Sequence, residues 1–272
     1  MRSGDYSEME RMYRPNHADF TYDARYGLRD YRGGGRSSAR ETVNWVVAGS
    51  LALQWLNYKG IYIEAELTAV GKKEYHVLKE NLIKNPDSVT KLALPSDIKK
   101  EFEEEILSAK NNGDSVGGRV TCVITGLFPG LGNPVFGKLH ASLAQAMMTI
   151  NAAKAFEYGS GFDAPDFTGT ESADIFYRDK EREIKTKTNF SGGIQGGITN
   201  GMPVYCNVTF KPTPTVLKEI PTVDEDGEKT ILKARGRHDP CVAVRAVPVV
   251  KAMAALVIAD YLIPRIEDRY LI

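Results

Sequence analysis

Residues Ser38 to Val70 read SARETVNWVVAGSLALQWLNYKGIYIEAELTAV, and this stretch sets the fold class. From Ser38 to about Asn57 the pattern is helical, with Val43, Val46, Val47, Leu51 and Leu56 as candidate core positions. Gly60 breaks it. Residues 61–70 then alternate: Ile61, Ile63, Ala65, Leu67 and Ala69 on one face, Tyr62, Glu64, Glu66 and Thr68 on the other, as in a half-buried strand. Further along, Ser96 to Lys110 reads as a helix with the stripe Ile98, Phe102, Ile106. Gly117 to Gly126 reads as a strand, and Lys138 to Phe156 as a helix with Leu139, Leu143, Met147 and Ile150 inward. Residues 170–190 are charged and patternless, which predicts a mobile loop. Val204, Cys206, Val208 and Phe210 alternate as a strand, residues 222–229 read as a hairpin tip, and a last helix is predicted from near Pro248 to Leu262. Strands and helices in this mixed order predict an α+β fold rather than a regular βαβ array.

The chain has 272 residues, 42% of them hydrophobic, enough for one large domain with a proper core. Lys and Arg number 35 and Asp and Glu 35, so the net charge is zero. That argues against a broad nucleic-acid footprint but allows a local basic pocket. Cys122, Cys206 and Cys241 are far apart with no C-x-x-C, which predicts buried free thiols in a reducing compartment. No metal-ligand pattern is present. The apolar run Val242 to Ile258 is interrupted by Arg245, Pro248 and Lys251 and reads as a buried helix, not a membrane span. A soluble cytoplasmic protein is expected, with neither nucleic acid nor membrane as partner.

Just upstream of the opening stretch lies Arg32-Gly33-Gly34-Gly35-Arg36-Ser37, a glycine loop running into the helix start. Ser38 and Glu41 have capping-box spacing, and Arg36 and Arg40 flank the start. Glycines that let backbone approach a ligand, beside arginines and a helix N-terminus, describe a phosphate or carboxylate site; a basic surface turn fits the same residues. Within the irregular residues 1–37, His17 lies between Arg14 and Asp19, as either an acid or a surface histidine. Arg237-His238-Asp239-Pro240 reads as an anion clamp with Asp239 as proton acceptor, or as an Asp-Pro turn. A second glycine loop spans 191–201 and includes Gly196, and Lys211-Pro212-Thr213-Pro214-Thr215 follows a strand. Whether these loops converge is not legible in one sequence.

Taken together the segments closely resemble the chorismate synthase family. The stretches that carry the resemblance are His17 to Asp23, Asp30 to Thr42, Met148 to Lys154, Ser191 to Ile198, Lys211 to Thr213 and Gly236 to Pro248. The resemblance implies a β-α-β sandwich, a homotetramer, and conversion of 5-enolpyruvylshikimate 3-phosphate to chorismate. That reaction is a 1,4-anti elimination of phosphate needing reduced FMN, supplied through an external flavin reductase or another reductant. Carried over motif by motif, Arg36, Ser37, Ser38, Asn151, Ala152, Gly196, Lys211, Pro212, Thr213, Pro214, Thr215 and Arg237 are expected to contact FMN. Arg14, Ser38, Arg40 and Arg237 are expected to hold substrate. His17 and Asp239 are expected to be catalytic, His17 toward the reduced flavin and Asp239 near flavin N5.

Two departures stand out. The family's Gly-Glu-Ser-His-Gly motif, whose histidine is the acid for the leaving phosphate, is not in this sequence. Residues 1–272 therefore read as a single domain lacking the family's N-terminal part. On that reading exposed edges and apolar surface should follow, and a polypeptide of these residues alone is expected to be inactive or severely impaired. A non-catalytic FMN- or anion-binding remnant, associating with intact subunits, is the alternative. Secondly, Lys251 stands where the family has glutamate, which bears on ion pairing or a subunit contact more than on chemistry.

Overall fold

The computed structural model describes residues 10–31, 34–89, 92–233 and 239–268. Its helices are α1 (Asp19–Tyr26), α2 (Thr42–Tyr58), α3 (His76–Lys84), α4 (Ser96–Asn111), α5 (Leu139–Thr149) and α6 (Ala243–Asp268). Its strands are β1 (Tyr62–Val70), β2 (Lys73–Glu74), β3 (Gly118–Thr125), β4 (Ala153–Tyr158), β5 (Phe176–Arg178), β6 (Ile184–Thr186), β7 (Ile194–Gln195), β8 (Ile198–Thr199), β9 (Val204–Phe210), β10 (Ile220–Val223) and β11 (Lys229–Leu232). Five strands form one antiparallel sheet in the order β2-β1-β3-β9-β4, and the other six pair as three two-stranded hairpins. The α+β class is as the sequence predicts.

The period-2 pattern of β3 and β9 sends Val120, Cys122, Ile124, Val204, Cys206, Val208 and Phe210 into one core, against α6. The same alternation turns Arg119, Thr121 and Asn207 to the sheet's other face, where Thr121 donates to Asn207 Oδ1 at 2.5 Å. In β1 the predicted alternation holds to Leu67. A bulge between Leu67 and Ala69 then shifts the register, so Val70 rather than Ala69 enters the core.

α2 corrects the sequence reading. Leu56 is fully buried, but Val43, Val47 and Leu51 are 60–66% exposed. The helix carries no charged residue, so periodicity could not choose a face. The face is chosen by packing: a Cβ at Gly49 would lie 2.4 Å from the Ala252 Cβ, so α2 and α6 cross at the distance only a glycine allows.

Other boundaries differ for local reasons. The predicted helix ending at Phe156 stops at Thr149; Ala152 takes a φ of 68°, and β4 begins at Ala153, where it gains β9 as a partner. Residues 170–190 contain the β5–β6 hairpin and an Asp174 that accepts from the backbone N–H groups of Phe190 and Ser191. The irregular opening contains α1, closed by Gly27 in the left-handed region. α6 starts at Ala243 and runs through Pro248. One missing hydrogen bond and ring clash cost about 3 kcal/mol. Val250, Ala254, Ala255, Ile258 and Leu262 are buried, and apolar side chains such as these each contribute up to ~1.5–3 kcal/mol, which outweighs the proline. Ala243–Pro264 is long and apolar enough to cross a membrane by length and composition, but here it packs on α2, α5, β1 and β3 as core. All three cysteines are free and buried.

Candidate functional site

β9 delivers Lys211 out of the sheet, and its backbone N–H bonds to the Ala152 carbonyl at 3.0 Å. This ties the segment after β9 to the turn between α5 and β4. Asn151 in that turn donates from Nδ2 to the Ser37 carbonyl at 3.0 Å, which fixes the loop ahead of α2. Within that loop Ser37 Oγ donates to the Gly34 carbonyl at 2.5 Å, and Gly34 sits at φ 82°. The expected capping box is not formed: Ser38 Oγ accepts weakly from the Arg40 N–H at 3.4 Å, and two short 3-10 turns precede α2. The fourth wall is the loop entering α1, where Lys211 Nζ donates to the Asn16 carbonyl at 2.5 Å and His17 Nε2 lies 2.9 Å from Thr215 Oγ1.

These segments enclose a cavity of about 360 Å³ lined by Arg14, Asn16, His17, Ala18, Gly34, Ser37, Ser38, Ala39, Asn151, Ala152, Lys211, Thr213, Pro214 and Val242. Two cations line it, and among the described lining residues there is no carboxylate. Burial, with Lys154 nearby, holds the Lys211 ammonium below its usual pKa, so an anion in the cavity would be a welcome partner. Thr213 Oγ1 is buried without a hydrogen-bond partner among the described residues. Cations, hydroxyls and small apolar walls suit a phosphorylated, largely planar ligand.

Three larger cavities lie elsewhere: two, of about 440 and 530 Å³, share Glu157, Phe162 and Phe190, and a third, of about 580 Å³, is lined by residues that include Asn133, Ser142, Asp260 and Tyr261. The central charges of the first are already paired, Lys79 with Asp163 at 2.7 Å and Arg119 with Glu74. In the 360 Å³ cavity Arg14 is paired too, with Asp19, but among the described residues no carboxylate pairs with Lys211, and that ammonium rather than size sets this cavity apart.

Of the residues predicted from sequence, Arg14, His17, Ser37, Ser38, Asn151, Ala152, Lys211, Thr213 and Pro214 line the 360 Å³ cavity. Thr215 reaches it through His17. Arg36, Arg40 and Pro212 are exposed beside it. Asp239 precedes α6 and pairs with Arg245 Nε at 2.6 Å, three residues before the lining Val242. Gly196 is not brought to the cavity: Gly197 accepts from Leu139 at the start of α5, whereas Asn151 follows its end. At a rise of 1.5 Å per residue those ends are about 16 Å apart. Arg237, with Arg32, Gly33, Gly236 and His238, lies outside the described residues.

Sequence reasoning set Asp19 beside His17 but missed its partner. Asp19 is 6% exposed and accepts from Arg14 Nε and Nη2 at 2.7 Å each and from the Arg14 backbone N–H at 3.0 Å. Arg29 Nη1 stands 3.4 Å away. Burial pushes the Asp19 carboxyl up, but the hydrogen bonds and charge of Arg14, with Arg29 beyond, outweigh it and leave the pKa below the ordinary value. The Arg-x-x-x-x-Asp spacing ahead of a helix was the available signal.

The chorismate synthase family model matches residues 1–263. Chorismate synthase of Bacteroides fragilis (strain YCH46) is 51% identical over 268 residues, covering 95% of this chain and 72% of that protein. The Bacteroides thetaiotaomicron chorismate synthase is 52% identical over 264 residues, with 95% and 72% covered. A crystal structure of chorismate synthase superposes with a TM-score of 0.74 at 30% identity, over 91% of this chain and 70% of that one.

Proposed function

The chain belongs to the chorismate synthase family, lyases that convert 5-enolpyruvylshikimate 3-phosphate to chorismate, and we propose that the cavity around Lys211 is where it holds its phosphorylated ligands. The observation that carries this is the meeting of Arg14, His17, Ser37, Ser38, Asn151, Lys211 and Thr213, from four distant segments, around a cavity with no carboxylate among its described lining residues.

The Lys211 to Thr215 segment, Ser37, Ser38, Asn151 and Ala152 are the residues that would hold FMN. Reduced FMN, when bound, supplies transient electron density to the substrate's allylic system without net redox change. Arg14, with Arg40 at the rim, binds the substrate's anionic groups, and fixed cations of this kind stabilise charge that grows on a departing phosphate. His17 holds or releases a proton at the imidazole that Thr215 Oγ1 orients. Asp239, steadied by Arg245, is the proton acceptor. Asn151 acts in part through the Ser37 carbonyl, keeping the serine loop against the cavity. The apolar walls from Ala18, Ala39, Pro214 and Val242 keep water from the reacting centre.

A single domain, a homotetramer, a cytoplasmic location and flavin reduction by an external reductase or other reductant belong to the same reading. They rest on the family. Anaerobic assay with reduced FMN and 5-enolpyruvylshikimate 3-phosphate tests it. His17→Ala is expected to lower chorismate formation by about 10²–10⁴-fold, the usual weight of acid–base catalysis. An unchanged rate contradicts the role. Turnover near that of the Bacteroides fragilis relative contradicts the expectation of impairment. Saturable FMN binding without any chorismate favours the non-catalytic alternative.

A further inference from the structure

Arg14 lines the cavity, yet its guanidinium is not presented to it as a fork. Nε and Nη2 both donate to Asp19, at 2.7 Å each, in a bidentate pair whose side chains are 11% and 6% exposed. Nη1 makes no hydrogen bond to a described residue. The same carboxylate also takes the Arg14 backbone N–H, so it closes the loop from Arg14 to the start of α1. That loop holds Asn16 at a φ of 60°, its carbonyl on Lys211, and His17 against Thr215. Arg29 lies on the far side of the carboxylate, at 3.4 Å from Oδ2, and stacks on Tyr13 with its carbon 5.0 Å from the ring centroid.

We infer that Asp19 is a positioning residue: it engages two of the three guanidinium nitrogens of Arg14 and so sets Nη1 as the donor offered to the substrate's phosphate or carboxylate. This rests on the reading of the cavity as the substrate site. A long arginine side chain freed from its partner samples many rotamers, and ordering it on binding weakens affinity. Asp19 removes that ordering step before the substrate arrives. Its carboxylate also partly offsets the Arg14 charge, so the gain is in geometry rather than in raw attraction.

The two accounts of Asp19, fold prop or donor selector, separate in a binding experiment on the whole chain. Calorimetry would measure affinity for 5-enolpyruvylshikimate 3-phosphate and, separately, for FMN. Asp19→Asn is expected to weaken substrate binding by about tenfold or more while FMN affinity stays within about threefold, because the amide oxygen can still take the Arg14 backbone N–H that closes the loop while the second acceptor that holds the guanidinium is lost. Asp19→Glu, which keeps the charge, is expected to recover part of the substrate affinity and serves if Asp19→Asn does not fold. In an Arg14→Lys background, where there is no fork to orient, Asp19→Asn should change substrate affinity by less than about twofold, the non-additivity of residues acting as one unit. Equal losses for substrate and FMN, or additive losses in the Arg14→Lys background, overturn the inference. A wild-type chain that does not bind the substrate at all overturns the site reading itself, which is a different result from wild-type binding that Asp19 variants leave unchanged.

Discussion

Among the described residues, three that are not glycine sit at positive φ, and two of them, Asn16 and Ala152, line the same cavity. Left-handed backbone costs an L-residue about 1–2 kcal/mol and persists where the surroundings over-determine it. Lys211 is what does so here. Its Nζ bonds the Asn16 carbonyl and its backbone N–H bonds the Ala152 carbonyl, so one residue fastens both strained turns to the end of β9. Ala152→Gly relieves the strain but adds ~0.5–1 kcal/mol of unfolded-state entropy, so the stability expected from urea unfolding is unchanged or up to about 1 kcal/mol higher. A loss greater than about 1 kcal/mol would contradict the strain assigned to Ala152. Ala152 was nameable from sequence only by resemblance, since nothing in its apolar neighbours announces a left-handed turn.

At the scale of elements, the contact between α2 and α6 decides where the glycine loop ends up. Gly49 meets Ala252 so closely that an added Cβ would lie 2.6 Å from the Ala252 Cα. Gly49→Val forces the helices apart, and overpacking of this kind costs about 1–3 kcal/mol. For a chain of this size that is a fall in Tm of roughly 2–4 °C per kcal/mol, measurable by calorimetry. An unchanged Tm would mean that the helices do not cross there. Both helices could be read from the sequence, because long apolar patterns are strong signals. Their faces could not: α2 is apolar all round, and Val43, Val47 and Leu51, which look like core, are exposed. The β5–β6 hairpin was missed for the opposite reason, since its strands are three residues each, too short to show a period, and lie among charged residues. The end of α5 was overrun because the apolar residues continue unbroken into β4, and only the register with β9 shows where one stops.

Over the whole molecule the charge is zero, with 35 basic and 35 acidic residues, yet one cavity gathers Arg14 and Lys211 with no carboxylate among its described lining residues. The antiparallel sheet does the gathering: β9 lies beside β4, so the segment after one meets the turn before the other. Residue types and motifs made the ligand chemistry legible, and family resemblance named it. Convergence was not legible, because the lining residues run from Arg14 to Val242 and their meeting depends on strand order. For the same reason the sequence grouped Gly196 with Asn151, although they flank opposite ends of α5. Ligand binding at the Lys211 cavity is read out by an anaerobic titration of the chain with FMN, followed by flavin fluorescence, comparing wild type with Lys211→Ala and with Lys84→Ala, whose exposed lysine pairs with Glu80 and does not line this cavity. Saturable binding is expected, weakened about tenfold or more by Lys211→Ala and unchanged by Lys84→Ala, as loss of a charge-assisted contact from a half-buried lysine implies. Binding that is absent, or equal in all three proteins, would contradict it.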